Sequence, residues 1–179
     1  MGAVTTGEPG SQVRVTNSGT PQNAVLDFTI PRGMDGTADT SLLALSNSGE
    51  QQPESGGALY YDTEAMRSGS DLDHVQTLGQ VLVRRPGLYQ VTAQGYLKAL
   101  CGADWPVTEL LRLEQDGAEV PGGRARQSLS TPLDGRGVAL TAMVRVDQVP
   151  SALRLTADSG RTRISDLALT VTRLGDWNG

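Results

Sequence analysis

Period-two alternation is the feature that most constrains how this chain can fold. In Leu88-Tyr89-Gln90-Val91-Thr92-Ala93-Gln94-Gly95-Tyr96-Leu97, one side of an extended strand carries Tyr89, Val91, Ala93, Gly95 and Leu97. The other side carries Leu88, Gln90, Thr92, Gln94 and Tyr96. Pro86-Gly87 ahead of it sets a turn, because Pro fixes φ and Gly accepts a positive one. Val138, Leu140, Ala142, Val144 and Val146 repeat the pattern without a break. A helix would scatter these residues around its axis, so the pattern calls for strands with one face covered.

The remaining signals agree. Apolar runs at residues 59–61, 81–83, 110–114, 118–120, 153–155 and 167–174 read as short strands. Asp116-Gly117 between two of them is a hairpin turn. No window of 12 residues carries an amphipathic helix. The chain is therefore all-β, and its strand spacing predicts an antiparallel sandwich or jelly roll. Three regions follow: a small β-hairpin module over 1–36, a linker with a first strand (Leu42-Leu43-Ala44-Leu45) over 37–57, and a head over 58–179.

In the first region Val13 and Val15 alternate with Arg14 and Thr16, and Leu26, Phe28 and Ile30 share one face after a long turn. Two strands of that size do not hold together in water. Copies from other chains would supply the missing surface. Among 179 residues only seven are aromatic, one of them Phe. A core of Leu, Val and Ala is thin, which also points to burial between subunits.

Charge and composition exclude several functions. The formal net charge is −5, so no positive face is expected for nucleic acid. Cys101 stands alone, which rules out an intrachain disulfide and a Cys/His zinc cluster. There is no run of 18 apolar residues and no basic-then-apolar leader, so membrane insertion is not expected.

Two segments carry a resemblance. Val4-Thr5-Thr6-Gly7-Glu8-Pro9-Gly10, Val13-Arg14-Val15-Thr16-Asn17-Ser18-Gly19-Thr20 and Ala24-Val25-Leu26-Asp27-Phe28-Thr29-Ile30-Pro31-Arg32-Gly33 resemble a module of collagen-like bacterial surface proteins and of phage tail fibres of Firmicutes. In that light Gly33-Met34-Asp35-Gly36-Thr37-Ala38 is a remnant of a Gly-X-Y tract, although two triplets alone make no triple helix. Residues 59–174, with Pro86-Gly87-Leu88-Tyr89 and a last strand ending Val171-Thr172-Arg173-Leu174, are similar to the trimeric jelly-roll heads of complement and tumour-necrosis-factor type. The shortage of Phe and the extension Gly175-Asp176-Trp177-Asn178-Gly179 depart from those heads. The resemblance implies a homotrimer. It also implies a non-enzymatic head of a phage tail fibre, exposed on the virion and binding a bacterial cell-surface glycan or protein. The alternative it implies is the structural head of a collagen-like spore or cell-surface glycoprotein, which nucleates and caps the trimer.

Candidate sites are few. Asp104-Trp105 sets an apolar ring beside a carboxylate, a pairing that suits a sugar; the competing reading has Trp105 plugging the end of the sandwich. Arg124 and Arg126 suit an anionic glycan, or simply face solvent. Asp62, Asp71 and Asp73, with Glu64, form an acidic group able to offer oxygen ligands to Ca²⁺. Some complement-type heads carry that ion near the trimer axis, and no other cofactor is expected. His74 lies close to Ser68, Ser70 and Asp73, but neighbours on one loop seldom form a nucleophile, base and orienting acid. A solvated loop is expected there instead.

Overall fold

The computed structural model describes residues 2–8, 10–33, 40–102 and 104–177. Residues 34–38 of the two Gly-X-Y triplets lie outside them. The chain divides into two compact units, Met1–Ala38 and Asp39–Gly179.

The first unit is a three-stranded sheet of β1 (Val4–Gly7), β2 (Arg14–Asn17) and β3 (Leu26–Pro31), in the order β1-β3-β2. β2 and β3 form the expected antiparallel pair, with Val15 opposite Phe28. The Asn17 side-chain oxygen accepts from the backbone N–H of Gly19 and of Val25, each at 2.9 Å, and closes the connecting turn. The expected hairpin is incomplete, because β1 joins it in parallel, with Val4 also opposite Phe28. The Asp27 carboxylate accepts from the Ala3 N–H at 2.6 Å, a bond that holds its pKa below the usual carboxylate value.

The second unit is a jelly-roll sandwich. One sheet contains β4 (Leu42–Asn47), β6 (Thr63–Ser68), β9 (Gly87–Ala99), β12 (Gly135–Val146) and β14 (Thr162–Gly175), in the order β12-β9-β14-β4-β6. The other contains β7 (Leu72–Val75), β8 (Gln80–Val83), β10 (Val107–Gln115), β11 (Ala118–Leu129) and β13 (Ser151–Ala157), in the order β11-β10-β13-β8-β7, with the short β5 (Gly57–Ala58) on β13. All pairings in both sheets are antiparallel.

The alternation read from the sequence sets the core. Tyr89, Val91, Ala93 and Leu97 of β9, and Val138, Leu140, Ala142, Val144 and Val146 of β12, are all buried. They meet Leu111, Leu113, Leu153 and Leu155 of the facing sheet in one apolar cluster. Asp116 and Gly117 turn β10 into β11 with φ of 52° and 82°, the positive pair that a two-residue hairpin of matching twist needs. In β14 a bulge between Ser165 and Ala168, with Asp166 at φ 52°, shifts the phase so that both Ile164 and Leu167 point inward.

Two local expectations change. Residues 59–61 form no strand. They connect β5 to β6, yet Leu59 and Tyr61 are both fully buried, and the Leu59 N–H is bonded to Leu155 O. Residues 72–75, expected as part of a solvated loop, are the edge strand β7, whose Leu72 is buried and whose His74 is half-buried.

Candidate functional site

One end of the sandwich is shaped by a residue the sequence reading did not single out. Glu109 sits in the inward phase of β10 beside Val107, Leu111 and Leu113, and is 1% exposed. Its carboxylate accepts from the N–H groups of Leu110, Asp158 and Ser159 at 3.0, 2.8 and 3.0 Å, and from the hydroxyls of Ser159 and Thr162. Five donors replace the water this anion has lost. The result is a pinned loop between β13 and β14, which also carries Arg161; the Arg161 carbonyl accepts from Leu100 N–H at 2.9 Å.

Arg161 lines an open cleft of about 280 Å³ with Leu100, Cys101, Gly102 and Asp104. A cation and a carboxylate thus share one solvent-filled recess, a setting for a polar ligand rather than an apolar one. The Cys101 thiol is exposed. Trp105 follows Asp104 but is half-buried and packs against the core. Arg124 and Arg126 lie on β11, opposite Arg112 and Leu110 of β10, and are not part of the cleft's lining. Arg124 is paired with Glu119 at 2.5 Å, whereas Arg126 is exposed. Of the four residues proposed from the sequence for a ligand, only Asp104 lines the cleft.

The acidic residues are dispersed. Asp71 accepts from the Ser41 hydroxyl at 2.8 Å, Asp62 from that of Thr63 at 2.9 Å, and Asp73 is bonded to Arg84 and lies 3.6 Å from Arg67. Glu64 pairs with Arg67 at 2.6 Å, which lowers its pKa. Among the described residues no group of three His, Cys, Asp or Glu stands together as a metal would need. His74 packs edge-on against the Tyr61 ring at 6.3 Å, and its Nε2 is buried with no partner. Burial lowers its pKa and raises that of the Tyr61 phenol. The described residues assemble no nucleophile, base and acid.

The outer face of the five-stranded sheet is the second distinctive surface. Its register sets up three rows: Thr63, Ser46, Ala168, Gln94, Ala139; then Met66, Ala44, Thr170, Thr92, Thr141; then Ser68, Leu42, Thr172, Gln90, Met143. These fifteen positions contain no charged side chain, in a protein whose residues are 20% charged. Shallow depressions of about 450 and 210 Å³ lie at one end of the rows, on either side of Asp166. Charge returns at the margins of this sheet, with Arg145 opposite Leu88, Lys98 opposite Arg163, and Glu64 paired with Arg67 on the edge strand β6. On the opposite sheet the ion pairs Arg112–Asp158, Arg154–Glu114 and Arg124–Glu119 lie across the strands, and Arg84–Asp73 at the rim.

With this geometry the second unit belongs to a recognisable class of folds. Murine APRIL matches with a TM-score of 0.59 at 14% identity, over 75% of this chain and 99% of that one. The globular domain of zebrafish complement 1qA matches with a TM-score of 0.59 at 12% identity, over 77% and 99%. The Eiger TNF of S. frugiperda matches with a TM-score of 0.58 at 16% identity, over 78% and 94%. The fold is the jelly roll of the tumour-necrosis-factor and complement C1q heads. No protein-family model and no curated protein matches the chain.

Proposed function

We propose that the chain is a non-enzymatic, trimer-forming head of a surface-displayed protein, which nucleates and caps its assembly outside the cell. The observation that carries this reading is the uncharged centre of the outer face of β12-β9-β14-β4-β6, three successive rows with charge only at their margins. Interfaces are depleted of charge at their centre, and a solvated sheet face of this composition has no such requirement. The trimer implied by the sequence resemblance supplies the partner: the same head, repeated about a three-fold axis. The jelly-roll likeness supports the head and, by itself, does not distinguish a spore or cell-surface glycoprotein from a phage tail fibre. Residues 4–33 resemble a module of both kinds of protein and do not separate them either.

Thr92 tests the reading. It lies at the centre of the middle row, between Thr170 and Thr141. Arg is tolerated there in a monomer, where it reaches solvent, but would be a buried, unpaired charge in a trimer. Light scattering should give three chain masses for the native protein at micromolar concentration and one for Thr92→Arg. A native monomer would refute the proposal.

A receptor-binding role toward a bacterial surface glycan or protein is the second reading, supported by Asp104 facing the same cleft as Arg161. Fluorescent protein applied to intact bacteria should label a host strain and lose that labelling in Asp104→Ala/Arg161→Ala. No labelling across a broad panel would remove it.

A further inference from the structure

We propose that the first unit is a second self-association module, its apolar sheet face covered by the same face of the other copies in the trimer. The face is defined by register. Val4, Phe28 and Val15 form one row across β1, β3 and β2, with Leu26 and Ile30 on either side along β3 and Val13 just ahead of β2. All six side chains are between 37% and 68% exposed. The neighbouring row on the reverse face is polar: Thr5, Thr29 and Arg14, with the Thr5 and Thr29 hydroxyls 3.2 Å apart.

The large exposed apolar residues of this unit therefore lie on one side, with Thr6 and Asn17 at its edges, in a sheet whose strands are four, four and six residues long. A sheet so short keeps its shape only if that side is covered. The face contains no charge to repel a copy of itself, and its residues complement one another when like meets like. Its size decides how it is used. Six half-exposed side chains offer several hundred Å², short of the roughly 800 Å² a side of a free-standing interface. The face needs its copies delivered by another contact, and a trimeric head on the same chain delivers them at an effective concentration in the millimolar range. In this respect the inference rests on the trimer proposed above, and the test separates the two.

Phe28→Cys in a Cys101→Ser background places one thiol per chain at the centre of the face. Mild oxidation of the full chain should give a disulfide-linked pair of chains on a denaturing gel, from protein whose native mass is three chains. If the native mass is three chains and the introduced thiol remains fully alkylatable, this inference falls and the trimeric head stands. A native mass of one chain removes both. Val15→Cys, opposite Phe28 on an edge strand, gives the same readout if Phe28→Cys disturbs the sheet. Hydrogen exchange on the unaltered chain is the second measurement. Amides of β1, β2 and β3 should be protected in the trimer and exchange freely in the Thr92→Arg monomer. Protection that persists in the monomer means that another surface covers the face, and overturns the proposal.

Discussion

Glu109 is a carboxylate placed where β10 would otherwise bury a fourth apolar side chain. Burying such a charge costs several kcal/mol unless hydrogen bonds replace its water, and three N–H and two O–H groups do so here. Glu109→Ala strands the donors of Asp158, Ser159 and Thr162, and should cost about 3 kcal/mol in urea unfolding. A loss under about 0.5 kcal/mol would show that water enters and replaces the carboxylate. The sequence carried one sign of this residue: Val107, Glu109, Leu111 and Leu113 share a phase, and only one of them is polar. What it could not show is that residues some fifty positions later bring the donors. His74 makes a prediction about pH. It is the chain's single histidine, and burial against Tyr61 lowers its folded pKa below 6.5, with Glu64 and Arg67 acting in opposite directions. The folded state therefore resists protonation. Stability should be full above pH 6.5 and fall as pH drops from there through the folded value. The lowered carboxylates Asp27, Glu64 and Asp134 act only below about pH 4.5, so the interval between about pH 5 and 6.5 isolates His74. Across that interval the melting temperature of native protein should fall toward acid pH while that of His74→Phe stays level. Parallel curves would refute the assignment.

Elements were legible in proportion to how constant an environment each strand sees. β9 and β12 run between the same two neighbours, core and outer face, for a dozen residues each, so their alternation is clean. β6 is an edge strand with every residue exposed, and its sequence Thr-Glu-Ala-Met-Arg-Ser has no period to detect. β1 has one apolar residue in four and gains its place through a parallel pairing with β3. β14 was recognised only from Leu167 onward, because the bulge at Asp166 breaks its phase with Ile164. The Pro86-Gly87 turn illustrates a local signal with a tertiary cause. Gly87 begins β9 at φ 149°, and a Cβ there would stand 2.6 Å from the Gly175 carbonyl oxygen at the end of β14. Gly87→Ala must move β14 or distort β9, and should destabilise the head by about 1–3 kcal/mol. Chemical denaturation measures it; a neutral effect would mean that the two strand ends separate freely. Site residues were less legible than strands. Arg124 and Arg126 are exposed on β11 and outside the cleft's lining, and Arg161, which lines the cleft with Asp104, has no distinguishing neighbour in sequence.

At the scale of the whole molecule the two sheets of the head present unlike centres. Ion pairs cross the strands of one, whereas Thr, Ala, Ser, Gln, Met and Leu fill the middle of the other and leave its charges at the margins. In the proposed trimer a core with so few aromatic residues completes its burial by assembly, which couples folding to concentration. For a trimer that unfolds to three separate chains, the mass-action term is two-thirds of RT ln 10 per chain, or about 0.9 kcal/mol for each tenfold rise in concentration. In a chain of this length that amounts to a rise in melting temperature of roughly 2–4 °C per decade of concentration. Because the centre of the proposed interface has no ions to screen, the same melting temperature should change little between low and high NaCl, beyond the modest loss expected from the exposed ion pairs. Thr92→Arg should melt lower and lose the concentration dependence altogether. Calorimetry over two decades of protein concentration, at two salt levels, decides the matter: a melting temperature independent of concentration in the native protein would mean that the head is stable alone, and that the uncharged centre of its five-stranded sheet is not the surface on which it assembles.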